Sequence, residues 1–148
     1  MKDVLVLGSG PAGYYAATLC AENRLEVTLV EKEELGGTGF HFGALPVKML
    51  LDYIKQNPFI SYEDLLEDYR VKMIDVQNKL ESDLKRAGVS LIFGEGHFIQ
   101  KDAIRVRDEI IKAKNIIIAT GSRPSDPFDA AYGNNILTHR EALLMDRL

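Results

Sequence analysis

Near the amino terminus, Gly8-Ser9-Gly10-Pro11-Ala12-Gly13 carries the spacing G-x-G-x-x-G, which suits phosphate binding when it follows a strand and opens a helix. Gly8 permits a tight turn, Gly10 lets the backbone come up to a pyrophosphate that a side chain would push away, and Gly13 lets helix and strand pack closely. The helix start, with Pro11 and Ala12 in its first turn, offers N–H groups and a partial positive charge to the phosphates. The same residues also read as a glycine-rich turn that binds nothing. Glu31 follows Gly13 by 18 residues, at the place where a carboxylate accepts hydrogen bonds from both hydroxyls of an adenosine ribose and repels a 2′-phosphate. Lys32, Glu33 and Glu34 beside it read as solvated charges. Farther on, His41 and Lys48 are the groups able to move a proton or hold a negative charge, the histidine because its usual pKa lies near neutrality.

The elements that position these groups are legible as patterns. Residues 3–7 form a short apolar run ending at Gly8, as expected of a buried parallel strand. Pro11–Glu22 is Ala-rich and helical in character, and residues 25–30 form a second apolar run closed by Glu31. Strand, helix and strand make one crossover unit of a nucleotide-binding sheet. Ala44–Gln56 reads as a helix that Asn57-Pro58 terminates. A longer helix follows, with Ser61 as N-cap, Asp64 in the capping-box place and Gly88 as terminator. Its apolar stripe, Leu65, Leu66, Tyr69, Met73, Val76, Leu80 and Leu84, describes a buried face. Residues 89–93 read as a strand, and Phe98-Ile99, Ile104-Arg105-Val106 and Ile110-Ile111 as an antiparallel meander. Residues 115–119 return to an apolar strand, Gly121, Pro124 and Pro127 break regular structure, and residues 139–147 form a last helix. The fold class expected is α/β, a Rossmann-like parallel sheet with an antiparallel β-meander.

Composition narrows the partners. The chain of 148 residues carries a net charge of −4, which argues against nucleic acid. Cys20 is alone, so no intramolecular disulfide forms. The apolar runs are too short for a membrane span, and the first residues lack a signal-peptide pattern, so a cytoplasmic protein is expected. No metal site is apparent.

Leu35-Gly36-Gly37-Thr38-Gly39-Phe40-His41-Phe42-Gly43-Ala44-Leu45-Pro46-Val47-Lys48 resembles the G-G-T-C-x4-C-x-P-S-K stretch of the flavoprotein disulfide oxidoreductases, the family of lipoamide dehydrogenase and glutathione reductase. Ala119-Thr120-Gly121-Ser122-Arg123-Pro124 resembles the family's A-T-G-S-x-P turn beneath the cofactor. Gly94-Glu95-Gly96-His97-Phe98 is similar to the stretch that meets the adenine. With the glycine loop, these are ordered matches over nearly the whole chain. The resemblance implies FAD, with Glu31 and Lys32 near the ribose and Gly36, Gly37 and Thr38 along the pyrophosphate. It places Lys48 by the flavin, Gly96 and His97 at the adenine end, and Thr120, Gly121 and Ser122 in the turn below. It implies NAD(P)H as reductant through a further domain, and relatives that continue into NAD(P)H-binding and dimerisation domains. Residues 1–148 are then expected to be the amino-terminal FAD part of a longer protein, which by itself turns over little.

The departures from the pattern bear on chemistry. Gly39 and Ala44 stand where the family's two cysteines form a disulfide over the flavin, and Val47 replaces its serine. The family's thiolate route from reduced flavin to a disulfide is closed, and the expected acceptor is a quinone, oxygen or another small molecule. His41, between the lost cysteines, is a weak candidate proton donor, and Lys48 a cation able to stabilise reduced flavin. Loss of both sulfurs leaves a second reading, a non-catalytic adenine dinucleotide-binding module. A third, an NAD-binding Rossmann domain, is disfavoured by the Gly36-Gly37-Thr38 segment.

Overall fold

The computed structural model describes residues 1–125 and 136–143. Strand β1 (Lys2–Leu7) buries Val4, Leu5, Val6 and Leu7 in succession, as a strand covered on both faces must. Helix α1 (Pro11–Glu22) leads into β2 (Val27–Glu31), which pairs parallel to β1 with Val4 opposite Val27 and Leu7 opposite Val30. Helix α2 (Gly37–His41) is a short turn, and α3 (Ala44–Gln56) stops at Asn57, whose N–H donates to Tyr53 O at 2.8 Å just ahead of Pro58. Helix α4 (Tyr62–Arg86) begins at Ser61, whose hydroxyl accepts the Asp64 N–H at 3.1 Å and donates to its carboxylate at 2.7 Å. It ends in a Schellman turn: Gly88 has φ +84°, its N–H donates to Lys85 O, and the Val89 N–H donates to Leu84 O. Five residues of the apolar stripe, Leu65, Leu66, Met73, Leu80 and Leu84, are under 9% exposed, while Tyr69 and Val76 are half-buried.

Strands β3 (Ser90–Phe93), β4 (Gly96–Gln100), β5 (Ala103–Val106) and β6 (Glu109–Ile118) complete a six-stranded sheet of order β3-β2-β1-β6-β5-β4. Its β3-β2-β1-β6 part is parallel and its β6-β5-β4 part antiparallel. The expected fold class is the observed one. One detail differs, because Ile110-Ile111 and residues 115–119 belong to a single strand rather than two. Ile111 and Ala113 are buried and Lys112 and Lys114 exposed, so the alternation runs through the residues that join the two segments. The strand instead changes partner: its first part pairs antiparallel with β5, and from Ala113 onward it pairs parallel with β1. Leu5, Leu7, Val30, Ile104, Val106, Ile111 and Ala113 pack as one core where the two parts meet.

Helix α5 (His139–Leu143) starts at Thr138, whose N–H and hydroxyl both meet the Glu141 carboxylate. Pro127 and the expected continuation of this helix through residues 144–147 lie outside the described residues. The chain divides into two compact units, Met1–Gly37 with Val76–Gly121, and Thr38–Asp75 with Ser122–Leu148. The first holds the sheet and α1. Within the second, the Lys72 ammonium lies 4.2 Å from the Tyr53 ring centroid and the Arg140 guanidinium 4.0 Å from that of Phe42. No helix among the described residues is long and apolar enough to cross a membrane.

Thr28, in the middle of β2, is 1% exposed, and its hydroxyl has no hydrogen-bond partner among the described residues. Thr28→Val keeps the branched shape and removes a desolvated hydroxyl. It is expected to stabilise the chain by about 1 kcal/mol, seen as a rise of roughly 3 °C in thermal midpoint; a fall would mean that the hydroxyl is satisfied in solution.

Candidate functional site

Three glycines shape the turn from β1 into α1, and for different reasons. Gly8 has φ +93°, and a Cβ there would lie 2.4 Å from Ala119 O. A Cβ on Gly13 would lie 1.9 Å from Gly8 O, so helix and strand meet at a distance only glycine allows. Gly10 has an ordinary φ of −57°, and apart from its own chain neighbours no atom of the described residues lies within 4 Å of where its Cβ would be. Its missing side chain leaves space that the chain does not fill. Beside that space, α1 starts with Pro11 and has no side-chain cap, which leaves first-turn N–H groups for an anion. A dinucleotide pyrophosphate fits this geometry.

Glu31 closes β2 and is 7% exposed. Its Oε2 accepts the Ser9 N–H at 2.8 Å and the Ser9 hydroxyl at 2.6 Å, and its Oε1 accepts the Glu33 N–H at 2.9 Å. Such charge-assisted bonds are short and strong, and they fix the carboxylate against the glycine loop. A carboxylate has about four acceptor positions, so one stays open to a ligand hydroxyl and a second opens if the Ser9 hydroxyl turns away.

Ser9 also reaches the next segment. Its Oγ accepts the Gly36 N–H at 3.2 Å, and its carbonyl accepts the same N–H at 3.1 Å. Gly37 sits so close that a Cβ on it would lie 3.0 Å from Gly10 Cα. From the other side, Gln77 of α4 accepts the Leu35 N–H at Oε1, 3.1 Å, and donates from Nε2 to Leu35 O at 2.6 Å. Thr120 completes the set, its Cα 3.2 Å from a Cβ built on Gly8, while the Ala119 N–H donates to Leu7 O at 2.8 Å. Loop, acid, glycine turn and Ala119-Thr120 segment therefore meet inside the first unit.

The other candidates each have a setting of their own. Gly96 has a reason within the protein: a Cβ there would come 2.7 Å from Leu7 Cδ2 and 3.1 Å from Ile104 Cγ2, so glycine lets β4 cross the core. His97 is exposed, 3.8 Å from the Glu95 carboxylate, and opens with Arg105 and Arg107 onto a recess of about 630 Å³ that no residue of the glycine loop lines. Lys32 is exposed and lies 3.7 Å from Glu33. Gly121 has φ +70° and is exposed. In the second unit Thr38, Lys48 and Ser122 are exposed, whereas His41 is 7% exposed with its ring centroid 5.8 Å from that of Phe42. Cys20 lies half-buried in α1.

Two residues at the site were not anticipated, Ser9 and Gln77. Ser9 occupies a variable position of the glycine motif, and its hydroxyl donates to Glu31 at the end of β2. Gln77 falls four residues after Met73 and three before Leu80, the spacing of one helical face. A polar residue in a buried row was the available signal.

Fold and loop together define a Rossmann-like α/β domain with an antiparallel meander. A family model described as pyridine nucleotide-disulphide oxidoreductase matches residues 2–146, and the chain belongs to that family. It is 33% identical over 165 residues to a dihydrolipoyl dehydrogenase of Bacillus subtilis, covering 99% of this chain and 35% of that protein. It is 31% identical over 169 residues to a dihydrolipoyl dehydrogenase of Halobacterium salinarum, again covering 99% and 35%. Among solved structures, the HOCl-induced flavoprotein disulfide reductase RclA from Escherichia coli superposes with a TM-score of 0.77 at 25% identity, over 84% of this chain and 29% of that one. The chain thus spans about 35% of the length of the curated relatives it matches.

Proposed function

We propose that this chain binds FAD as the flavin-binding portion of an NAD(P)H-dependent oxidoreductase related to dihydrolipoyl dehydrogenase, and that the whole enzyme reduces an acceptor other than a disulfide. The observation that carries the first half is the unfilled space over Gly10, set between an uncapped helix start and a Glu31 carboxylate already fixed in place. In this reading the N–H groups after Gly10 hold the pyrophosphate and Glu31 accepts the ribose hydroxyls. Gly36, Gly37 and Thr38 flank the phosphates, Gly96 and His97 serve the adenine end, and Thr120, Gly121 and Ser122 pass beneath the cofactor. FAD, when bound, supplies a two-electron carrier whose reduced ring is anionic, and Lys48 offers the balancing charge.

The second half rests on Gly39 and Ala44, which carry no sulfur, and on Cys20 lying in α1. Thiolate exchange requires a sulfur nucleophile, so electrons from the flavin go to a quinone, oxygen or another small molecule. The same two residues favour a second reading, an adenine dinucleotide-binding module without turnover.

Calorimetric titration separates these from an NADP-binding domain. FAD is expected to bind at least about tenfold more tightly than NADP⁺, because a buried carboxylate beside the ribose opposes a 2′-phosphate. Equal or tighter binding of NADP⁺ would overturn the assignment of Glu31.

A further inference from the structure

We propose that Gln77 is a positioning residue for the cofactor site, acting through the backbone of Leu35 to hold the Gly36-Gly37 turn against the glycine loop. The inference rests on the FAD reading above and adds a part of the site that lies 42 residues farther along the chain.

The turn needs such support. Gly36 and Gly37 have φ values of +103° and +56°, and two successive glycines have no side chain with which to fix themselves and lose more freedom on ordering than any other pair. Two anchors supply the order. Ser9 takes the Gly36 N–H with both its hydroxyl and its carbonyl. Gln77 takes both peptide groups of Leu35, the N–H at 3.1 Å and the carbonyl at 2.6 Å, as a neighbouring strand would. The Leu35 side chain is 1% exposed, so this residue is anchored through side chain and main chain together. Gln77 is half-buried on the face of α4 that also carries Leu80 and Leu84, which ties the clasp to a rigid element. A carboxamide both accepts and donates at this point, whereas a carboxylate only accepts.

Without the clasp, the turn samples a wider ensemble, and a ligand that touches it must pay the ordering cost on binding. A ligand with a pyrophosphate meets that cost, whereas a nucleoside monophosphate held by the loop and Glu31 largely avoids it. The test compares the full chain with Gln77→Leu, which keeps the bulk and loses both bonds, and Gln77→Glu, which keeps only the acceptor. Titrations with FAD, ADP and AMP are paired with amide hydrogen exchange. Gln77→Leu is expected to weaken FAD and ADP by about tenfold, two ordinary hydrogen bonds in value, and AMP by less than about twofold. Gln77→Glu falls between. The Leu35 amide should exchange faster while those of Leu5 and Leu29 in the sheet stay protected. FAD affinity in Gln77→Leu equal to the parent's would overturn the role of Gln77 alone. Equal losses for FAD and AMP with faster exchange at Leu5 and Leu29 would also overturn it, reducing Gln77 to a stabilising residue. A parent chain that binds no adenine dinucleotide would overturn the FAD reading and this inference with it.

Discussion

Gly10→Ala is expected to leave the thermal midpoint within about 3 °C of the parent and to weaken FAD by about 100-fold, whereas Gly13→Ala is expected to damage both. The contrast follows from what each new methyl group meets. On Gly10 it enters space in which, beyond its chain neighbours, no atom of the described residues lies within 4 Å, at a φ that alanine adopts without strain. Its cost therefore falls on the ligand that uses that space. On Gly13 it would come 1.9 Å from Gly8 O, and a backbone carbonyl cannot swing aside as the end of a side chain can. Helix α1 must move off β1, at a cost of about 3 kcal/mol by analogy with overpacked cores, or roughly 10 °C in midpoint. Calorimetry and FAD titration of the two variants check this directly. Unaltered FAD binding by a folded Gly10→Ala would remove the loop from the site.

The second large effect is expected at Glu31. Glu31→Ala leaves the Ser9 N–H, the Ser9 hydroxyl and the Glu33 N–H without their present acceptor. Orphaned donors at buried positions cost about 1–3 kcal/mol each; Ser9 is fully buried and Glu33 exposed, so the loss should come to about 3 kcal/mol in all. FAD affinity should fall by about 100-fold, since the ribose loses its acceptor and the loop loses its brace. Glu31→Gln restores one acceptor oxygen without the charge. It should recover part of the stability and narrow the preference for FAD over NADP⁺. If Glu31→Ala destabilises the chain while FAD binds as before, the acid is a structural brace and the ribose lies elsewhere.

How far the sequence foretold this arrangement depends on whether the deciding forces were local. Helices Pro11–Glu22 and Ala44–Gln56 have the limits their sequence predicts, because proline at a helix start and Asn57-Pro58 at a helix end act through the backbone itself. Ser61 and Gly88 bounded α4 for the same kind of reason. The α2 turn has no local signal, since Gly37 and Gly39 disfavour helix, and only the tertiary setting explains it. Strand β6 reads as two segments in the sequence, because its change of partner is a fact of topology that no window of the sequence contains. The glycine spacing predicted the tight turn from β1 into α1 that the structure has, since such a turn depends on local backbone geometry. Ser9 and Gln77 act through contacts across 22 and 42 residues, and their importance lies in which backbone groups they happen to meet. The resemblance implied only that Gly36 and Gly37 lie along a pyrophosphate; the close approach of Gly37 to Gly10 is visible as geometry only in the folded chain.

The most direct measurement is the visible spectrum of the full chain after incubation with FAD and removal of unbound small molecules by gel filtration, followed by chromatography of whatever heat releases. A flavin band that travels with the protein and is released as intact FAD is the predicted result. A colourless protein, with all the FAD recovered in the small-molecule fraction, would contradict it.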